Sequence, residues 1–389
     1  DSVSLLFGDC HLPDVVTEDE VSQVALRTFA MDVNLGALMM DAATRGAIGS
    51  IAVLFEIYQG VPRLRVLDTP CLTPVWDDVS GELISVTEQF SVLGSALAAR
   101  GMDIVASDAT RRFVWTRRWT RSACEIYVPR PEDESGGAVL DQSRSQRHEL
   151  GFVPIVWIRN LTAVAGPDQI DGDCTFERAI DTVIEADYLL SQAGRGLKYS
   201  SDPTLVLKSP GSGRDLVARE GGAASALTLP PEGDAKLLEI NGNSANAVLM
   251  HYRELRALVL EQLHGNRSHT ELMSRQTSGR ALEMMNQPLI WLAERLRHSY
   301  GAGGMLPIFR MFCLFSEKLE RGVCLSTGWI KSVQPGNMAL RWPPWFQVDS
   351  DELQTLAQSL QTALAAGLVE AGEAANVYRG AVEMAGHRF

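Results

Sequence analysis

The chain has 389 residues, 46% of them hydrophobic, and a formal net charge of −13. That is enough material for two or three domains with ordinary packed cores, and the acidic balance handicaps tight, sequence-independent binding to nucleic acid. The longest strongly apolar run, 305–315, contains Pro307 and Arg310 and falls short of the ~18 residues that a membrane span needs, so none is expected.

The opening residues, DSVSLLFGDCHLPD, carry neither the basic start nor the sustained apolar stretch of a secretory signal. With no initiator Met, the chain is expected to continue upstream. From Thr17, an N-cap residue, three acids in the first turn and Val21, Val24, Ala25 and Phe29 on one face predict a helix. A second helix follows from Asp32 to about Thr44, ended by Arg45 and Gly46. Residues 51–58 and 62–67 alternate like two strands around Gln59 and Gly60, and 82–90 is a further strand. Residues 111–128, RRFVWTRRWTRSACEIYV, read as strands with Trp115 and Trp119 set among arginines. Basic residues interleaved with tryptophan are what a single-stranded nucleic-acid platform uses. A β-meander with one solvated face is the plainer reading, because charge is ordinarily exposed. The polar stretch 129–149 predicts a mobile surface loop or a boundary, and 152–158, FVPIVWI, a buried strand. The glycosylation sequon that starts at Asn160 carries no meaning in an intracellular chain.

Residues 173–287 read as two long amphipathic helices around a short β-rich insert, followed by a loop and a third helix. In the first, Phe176, Val183, Leu190 and Leu197 recur every seven residues, with Ala179, Ile180, Ile184 and Ala193 filling the stripe. Asp173 is the expected N-cap, and Asp202 before Pro203 the exit. In the second, Ala245, Val248, Tyr252, Leu255, Val259 and Leu263 form the matching stripe, which ends at His264. Both helices should bury that face, and each spans roughly 30–37 Å. Between them 204–208, 226–229 and 237–240 are short strands. Residues 265–278 form an exposed loop, and 279–298 a helix with Leu282, Met285, Leu289, Leu292 and Leu296 on one face and a kink at Pro288. The GAGG run 301–304 should break the chain before Pro307 opens a helix that is apolar almost all round. A strand at 337–342 and two closing helices, the first from Asp349 with Glu352 in a capping-box pattern, complete the chain.

Chemical motifs are sparse. The sequence has no GxxxxGK[ST] loop, no GxSxG, no HExxH and no zinc-like Cys/His spacing. SPGSGRD, with two glycines and no lysine, reads as a turn. His148 and Glu149 precede a strand and make a poor metal pair, and His251 falls on the solvated face of its helix. The six cysteines (Cys10, Cys71, Cys124, Cys174, Cys313, Cys324) lack CxxC pairing and fit isolated thiols in a reducing compartment. This pattern favours a role without catalysis and without a cofactor or metal.

The order of strand FVPIVWIRN, long helix FERAIDTVIEADYLLSQAGRGLKY, strand TLVLK, β insert, second long helix and QTSGRALEMMNQPL resembles the portal (connector) proteins of tailed bacteriophages. It is most similar to the group built like the portals of siphophages infecting Gram-positive bacteria. The signals are VPIV before the first helix, PTLVLK after it, and Ser278 and Gly279 followed by Ala281 and Leu282 at the start of the kinked helix. They cover about 152–296; the first 150 residues match only in their pattern of helices followed by strands.

The resemblance implies an α+β fold of portal type. Its parts would be a mixed helix and strand wing (1–172), a first stem helix (173–200), a small β clip (201–243), a second stem helix (244–264), a tunnel loop (265–278), a kinked tunnel helix with the rest of the wing (279–348) and a helical crown (349–389). It implies a virion protein at one capsid vertex, assembled in the host cytoplasm as a homo-oligomeric ring, usually a dodecamer, through which double-stranded DNA is packaged and ejected. The implied partners are the terminase large subunit, major capsid and scaffolding proteins, and head-completion or adaptor proteins, with no membrane. Clip residues Lys208, Arg214, Arg219 and Glu220 would dock the motor and later the head-completion proteins. Arg267, His269, Arg275, Gln276 and Thr277 would face DNA from the tunnel loop, with the tunnel helix kinked at Pro288. Phosphate contacts there would be salt-sensitive and readily exchanged in an otherwise acidic channel. The plain alternative is an ordinary loop that touches no DNA. The chain departs from the family in its short stretch after Asp349, which implies a small crown, and in 129–149, which has no counterpart. Independently of the resemblance, helices with a heptad stripe on one side and mixed charge on the other suit radial packing in a ring. Another ring-forming head–tail protein would lack the helix–insert–helix order, and an intracellular hydrolase using Cys or His would show a deep polar pocket.

Overall fold

The computed structural model describes residues 2–8, 11–161, 170–201, 204–208, 234–238, 243–264, 279–343, 345 and 350–384. The fold is α+β and divides into two compact units, Asp1–Thr175 with Gly279–Phe389, and Phe176–Ser278. The first stretch of unit 1 carries α1 (Ser2–Phe7), β1 (Asp14–Thr17), α2 (Glu20–Asp32), α3 (Leu35–Gly46), β2 (Ser50–Tyr58), β3 (Val61–Leu67), β4 (Leu72–Trp76), β5 (Leu83–Leu93), α4 (Gly94–Ala99), β6 (Arg112–Thr120), β7 (Ala123–Ile126), β8 (Arg130–Pro131), β9 (Gln146–Arg147) and β10 (Ile155–Arg159). Unit 2 holds α5 (Ile180–Ser201), β11 (Thr204–Lys208), β12 (Asp234–Leu238) and α6 (Asn243–Gln262). The chain then returns to unit 1 as α7 (Gly279–Leu296), a π-helical segment Arg297–Met305, α8 (Leu306–Lys318), β13 (Val323–Leu325), β14 (Gly328–Ile330), β15 (Met338–Arg341), α9 (Ser350–Ala365) and α10 (Ala371–Met384).

Strand β2 is the spine of unit 1. It lies between β10 and β3, antiparallel to both, and is buried for six residues from Ser50 to Phe55. Ile51, Val53 and Phe55 face the helices, while Ala52 and Leu54 face Val86 and Trp119 of the second sheet. Two covered faces explain a continuous apolar run where a half-buried strand would alternate. On the helical side Phe29, Phe55, Phe312 and Phe315 form an offset stack with centroids 4.4–5.6 Å apart. The β2–β3 turn places Gln59 (φ 52°) and Gly60 (φ 85°) in the left-handed region, as a two-residue hairpin requires, and Trp329 lies where a Cβ on Gly60 would go. The second sheet runs β4-β5-β6-β7-β9, with β8 also on β6.

Several expectations change. The cap of α2 is Asp19, whose carboxylate accepts from the Ser22 N–H at 2.7 Å, while Thr17 belongs to β1. The buried face of α2 is Ser22, Ala25, Leu26 and Phe29; Val21 stays 78% exposed and Val24 is exposed too. Residues 129–149 form the expected surface loop, with 132–140 exposed throughout, yet the loop is tied to the second sheet by β8, β9 and a bridge between Tyr127 and Leu140. GAGG does not break the helix. Its backbone runs helically through the π segment, where Gly301 approaches Trp342 and Gly304 approaches Ile158 and Met39, so closely that a Cβ at either position would make those side chains shift. The helix after Pro307 buries Ile308, Phe309, Met311, Phe312 and Phe315, in keeping with its all-round apolar sequence.

Asn160, fully buried at the end of β10, ties these parts together. Its amide donates to the Asp173 carbonyl at 2.7 Å and to Thr175 Oγ1 at 2.8 Å, and its Oδ1 accepts from the Tyr300 hydroxyl at 3.1 Å. Its backbone N–H reaches the Gly49 carbonyl, which also takes the N–H of Gly172. Asp173 therefore serves through its carbonyl and caps no helix; a 3-10 turn Glu177–Ala179 precedes α5. Replacing Tyr300 with Phe keeps the ring and strands a buried acceptor, which should lower unfolding stability by about 1–3 kcal/mol in urea titrations.

Candidate functional site

In unit 2, α5 and α6 pack against each other in antiparallel fashion, with Thr182 Oγ1 bonded to Gln262 Oε1 at 3.2 Å near one end and the antiparallel β11–β12 pair joining the other. The heptad period of α5 holds, but only the alanines of the expected stripe are buried. Ala179, Ala186 and Ala193, seven apart, are buried, whereas Val183 is 39% and Leu190 37% exposed. Alanines let two helix backbones approach closely, so the bulkier row three residues away is carried to the flank of the seam. Phe176, Ile180, Ile184 and Tyr188, four apart, form a second exposed apolar row that winds to the side away from the seam; Ile184 is 61% and Tyr188 58% exposed. On α6 the expected stripe is half-buried through Val248, Tyr252, Leu255, Val259 and Leu263, and Met250 and Leu258 are exposed. Helix α6 finishes on His264 in the left-handed region (φ 55°), the exit that its sequence predicts.

Of the residues singled out in sequence, Arg214, Arg219, Glu220, Arg267, His269, Arg275, Gln276 and Thr277 lie outside the described residues, as does the strand expected at 226–229. Lys208 ends β11, in register with Asp234. Pro288 sits inside α7 on its exposed side. Trp291, Arg295 and His298 follow it on the same exposed face at helical spacing, opposite the buried Ile290, Leu292, Ala293 and Leu296. The i, i+3, i+7, i+10 repeat from Pro288 is the signal in the sequence that finds this row. Arg297 lies over Trp342 and Trp345, with centroids 4.8 and 3.2 Å away, and donates to the Pro343 carbonyl. Burial lowers its guanidinium to about 10, so it stays charged at neutral pH.

The arginine and tryptophan stretch offers no open basic platform. Trp115 and Trp119 are buried; Arg117 bonds Glu88 at 3.0 Å, Arg111 pairs with Asp133 and Glu134, and Arg121 with Glu82. This is the meander with a solvated, charge-paired face. Among the described residues, no group of three or more His, Cys, Asp or Glu side chains is placed to hold a metal ion, and no helix is long and apolar enough to cross a membrane. His251 lies on the exposed side of α6, 3.7 Å from Glu254.

No protein-family model matches the chain, and no curated protein matches it. Among solved structures, a chain from the virion of a native gene transfer agent particle is similar at 12% identity, over 97% of this chain and 98% of that one, with a TM-score of 0.35. That score is too low to establish a shared fold.

Burial pushes the Cys124 and Cys313 thiols up to about 11. A raised value leaves less thiolate at a given pH, so at pH 8 both should alkylate about a hundredfold more slowly than a cysteine in a short peptide. Iodoacetamide labelling followed by mass spectrometry, with the rate rising about tenfold per pH unit until it levels off near pH 11, checks this.

Proposed function

We propose that this chain is a portal-type virion protein, a subunit of a ring at one capsid vertex through which double-stranded DNA enters and leaves. The observation that carries the reading is the two-helix arm of unit 2, with a β pair at its far end and an exposed apolar row along α5. A row of this kind on a structured helix marks a surface that another protein covers. In a ring the covering partner is the neighbouring copy, because a repeated heterologous contact closes only when every subunit presents the same two surfaces. In this reading the arm is the stem, 201–243 the clip that docks the motor and head-completion proteins, and α7 the tunnel helix whose exposed face begins at Pro288.

The chemistry of such a subunit is mechanical and electrostatic, and the ATPase that drives transport resides in a partner. With a net charge of −13 per chain, a ring repels phosphates over most of its surface, so DNA passes without sticking. Arg267, His269 and Arg275 supply the exchangeable contacts, together with Arg295 on the exposed face of α7 and His298 in the π segment that continues it.

Light scattering or negative-stain imaging of the purified chain, with scaffolding protein added where assembly needs it, should show rings. A chain that stays monomeric at micromolar concentration under both conditions sinks the proposal. Ile184→Glu with Tyr188→Glu should shift rings to monomers while leaving the melting temperature of the monomer nearly unchanged, since both side chains already stand in water.

The loop contacts are tested separately. Arg267→Ala with Arg275→Ala should leave rings intact and reduce packaged DNA per particle, more so as salt is raised. Unchanged packaging removes the DNA-contact role from these residues and leaves the ring reading standing.

A further inference from the structure

We infer that the face of α5 turned away from the seam docks on the corresponding face of α6 in the next copy of this chain, with Tyr188 seated on Ala257, Ile184 on Leu260, and Asp187 paired with Arg256. The inference rests on the ring reading and names the surface that covers the exposed row of α5.

The two helices of the arm turn these faces in opposite directions. At about 100° per residue, Ile184 and Tyr188, each two positions from the buried Ala186, lie about 160° around α5 from the seam. On α6, Arg253 and Ala257 are each two positions from the half-buried Leu255 and stand away from the seam in the same way. Met250, 63% exposed, lies on this second face, and the exposed Arg256 and half-buried Leu260 border it. An arm with a face on each side meets one copy before it and another after it, whereas a single self-complementary face stops at a pair.

Height along the arm decides which side chains meet. Thr182 is level with Gln262, and antiparallel helices share one rise per residue, so Ile184 is level with Leu260, and Tyr188 with Arg256 and Ala257. Arms related by rotation about an axis along their length keep these levels. The Tyr188 ring then stands over an alanine, a knob over a hole.

Charge selects among the possible pairings. Around Ile184 and Tyr188, α5 exposes Asp181, Glu185 and Asp187 and no base, so two such faces would set acid against acid. Two α6 faces would bring together Arg253 and Arg256 of both copies. Between α5 and α6, Asp187 and Arg256 each lie about 100° from their own seam and fall on the same edge of the contact, the position where coiled coils place ion pairs between helices. Among the described residues, neither the Asp187 carboxylate nor Arg256 has an ion-pair partner in its own chain. On the other edge Glu185 meets no base, so a single ion pair keys the contact.

Cross-linking reads the pairing directly. Tyr188→Cys and Ala257→Cys are placed together in the full chain, and the assembled protein is treated with a short bis-maleimide beside the wild type and each single variant. The double variant should give a ladder of covalent multimers, with positions 188 and 257 found joined by mass spectrometry, and each single variant should stay at the wild-type level. Charge exchange reads the edge. Asp187→Arg and Arg256→Asp should each raise the concentration at which light scattering detects rings by about threefold to fivefold at low salt, and the two together should restore it. A ladder from Tyr188→Cys alone, rings in which the double cysteine variant gives no ladder, or charge variants whose losses add without rescue each overturn the pairing and leave the ring reading standing. A wild-type chain that assembles under no condition removes both.

Discussion

Asn160 uses both side-chain N–H groups, its Oδ1 and its backbone N–H to keep four segments in register. Burying an amide is tolerable only when each polar atom finds a partner, and here the partners come from the lead into unit 2 (Asp173, Thr175) and the π segment (Tyr300), with its backbone fixed to the α3–β2 connection at Gly49. The approach is so close that a Cβ on Gly172 would collide with the Asn160 backbone, so the chain can pass there only as glycine. The end of β10, the start of β2 and a point in the long helix are thereby locked to the residues that immediately precede the arm. Such a site leaves residues 172–175 little freedom to slide, because a shift of one residue strands several buried polar atoms at once.

The π segment is the second half of that constraint. Tyr300 reaches Asn160 because the helix widens over Arg297–Met305, and the widened turn is possible because Gly301 and Gly304 let Trp342 and Ile158 approach the backbone. The sequence shows three glycines within four residues and a following proline, the ordinary marks of a break. What it does not show is the surface on the other side. Glycine breaks a helix when its freedom is spent on turning, and preserves one when a neighbour needs the room a side chain would take. That choice is made by tertiary packing among residues far apart in the chain.

Local signals were legible where one partner decided the outcome. The β2–β3 hairpin could be read from Gln59 and Gly60, the buried β10 from its apolar run, and the charge-paired meander from the alternation of Trp115 and Trp119 with arginines. Signals failed where two partners compete. In α2, Val21 and Val24 belong to the same helical face as Ala25 and Phe29 by hydropathy, yet the burial turns on where Ser22 and Leu26 fit against the core. In α5, hydropathy ranks Val183 and Leu190 above Ala186 and Ala193, while the seam selects by size and takes the alanines. Period was readable in both helices and phase only in part, as Ala25, Phe29, Ala179 and Ala193 show, since phase is set by the partner surface.

The phase of α5 has a consequence for how the arm behaves. A seam made of alanines brings two backbones together at little side-chain entropy cost, but it buries little apolar area per turn. The larger side chains that would ordinarily stabilise a helical pair stand instead on its flank, where a lone chain leaves them in water. An arm of this design is held weakly by its own packing and strongly by whatever covers that flank. In the proposed ring, assembly and ordering of the arm are one event: each added neighbour removes Ile184 and Tyr188 from solvent and stiffens the helix pair at the same time, so the free energy that the monomer withholds from its own fold becomes available to bind the next copy.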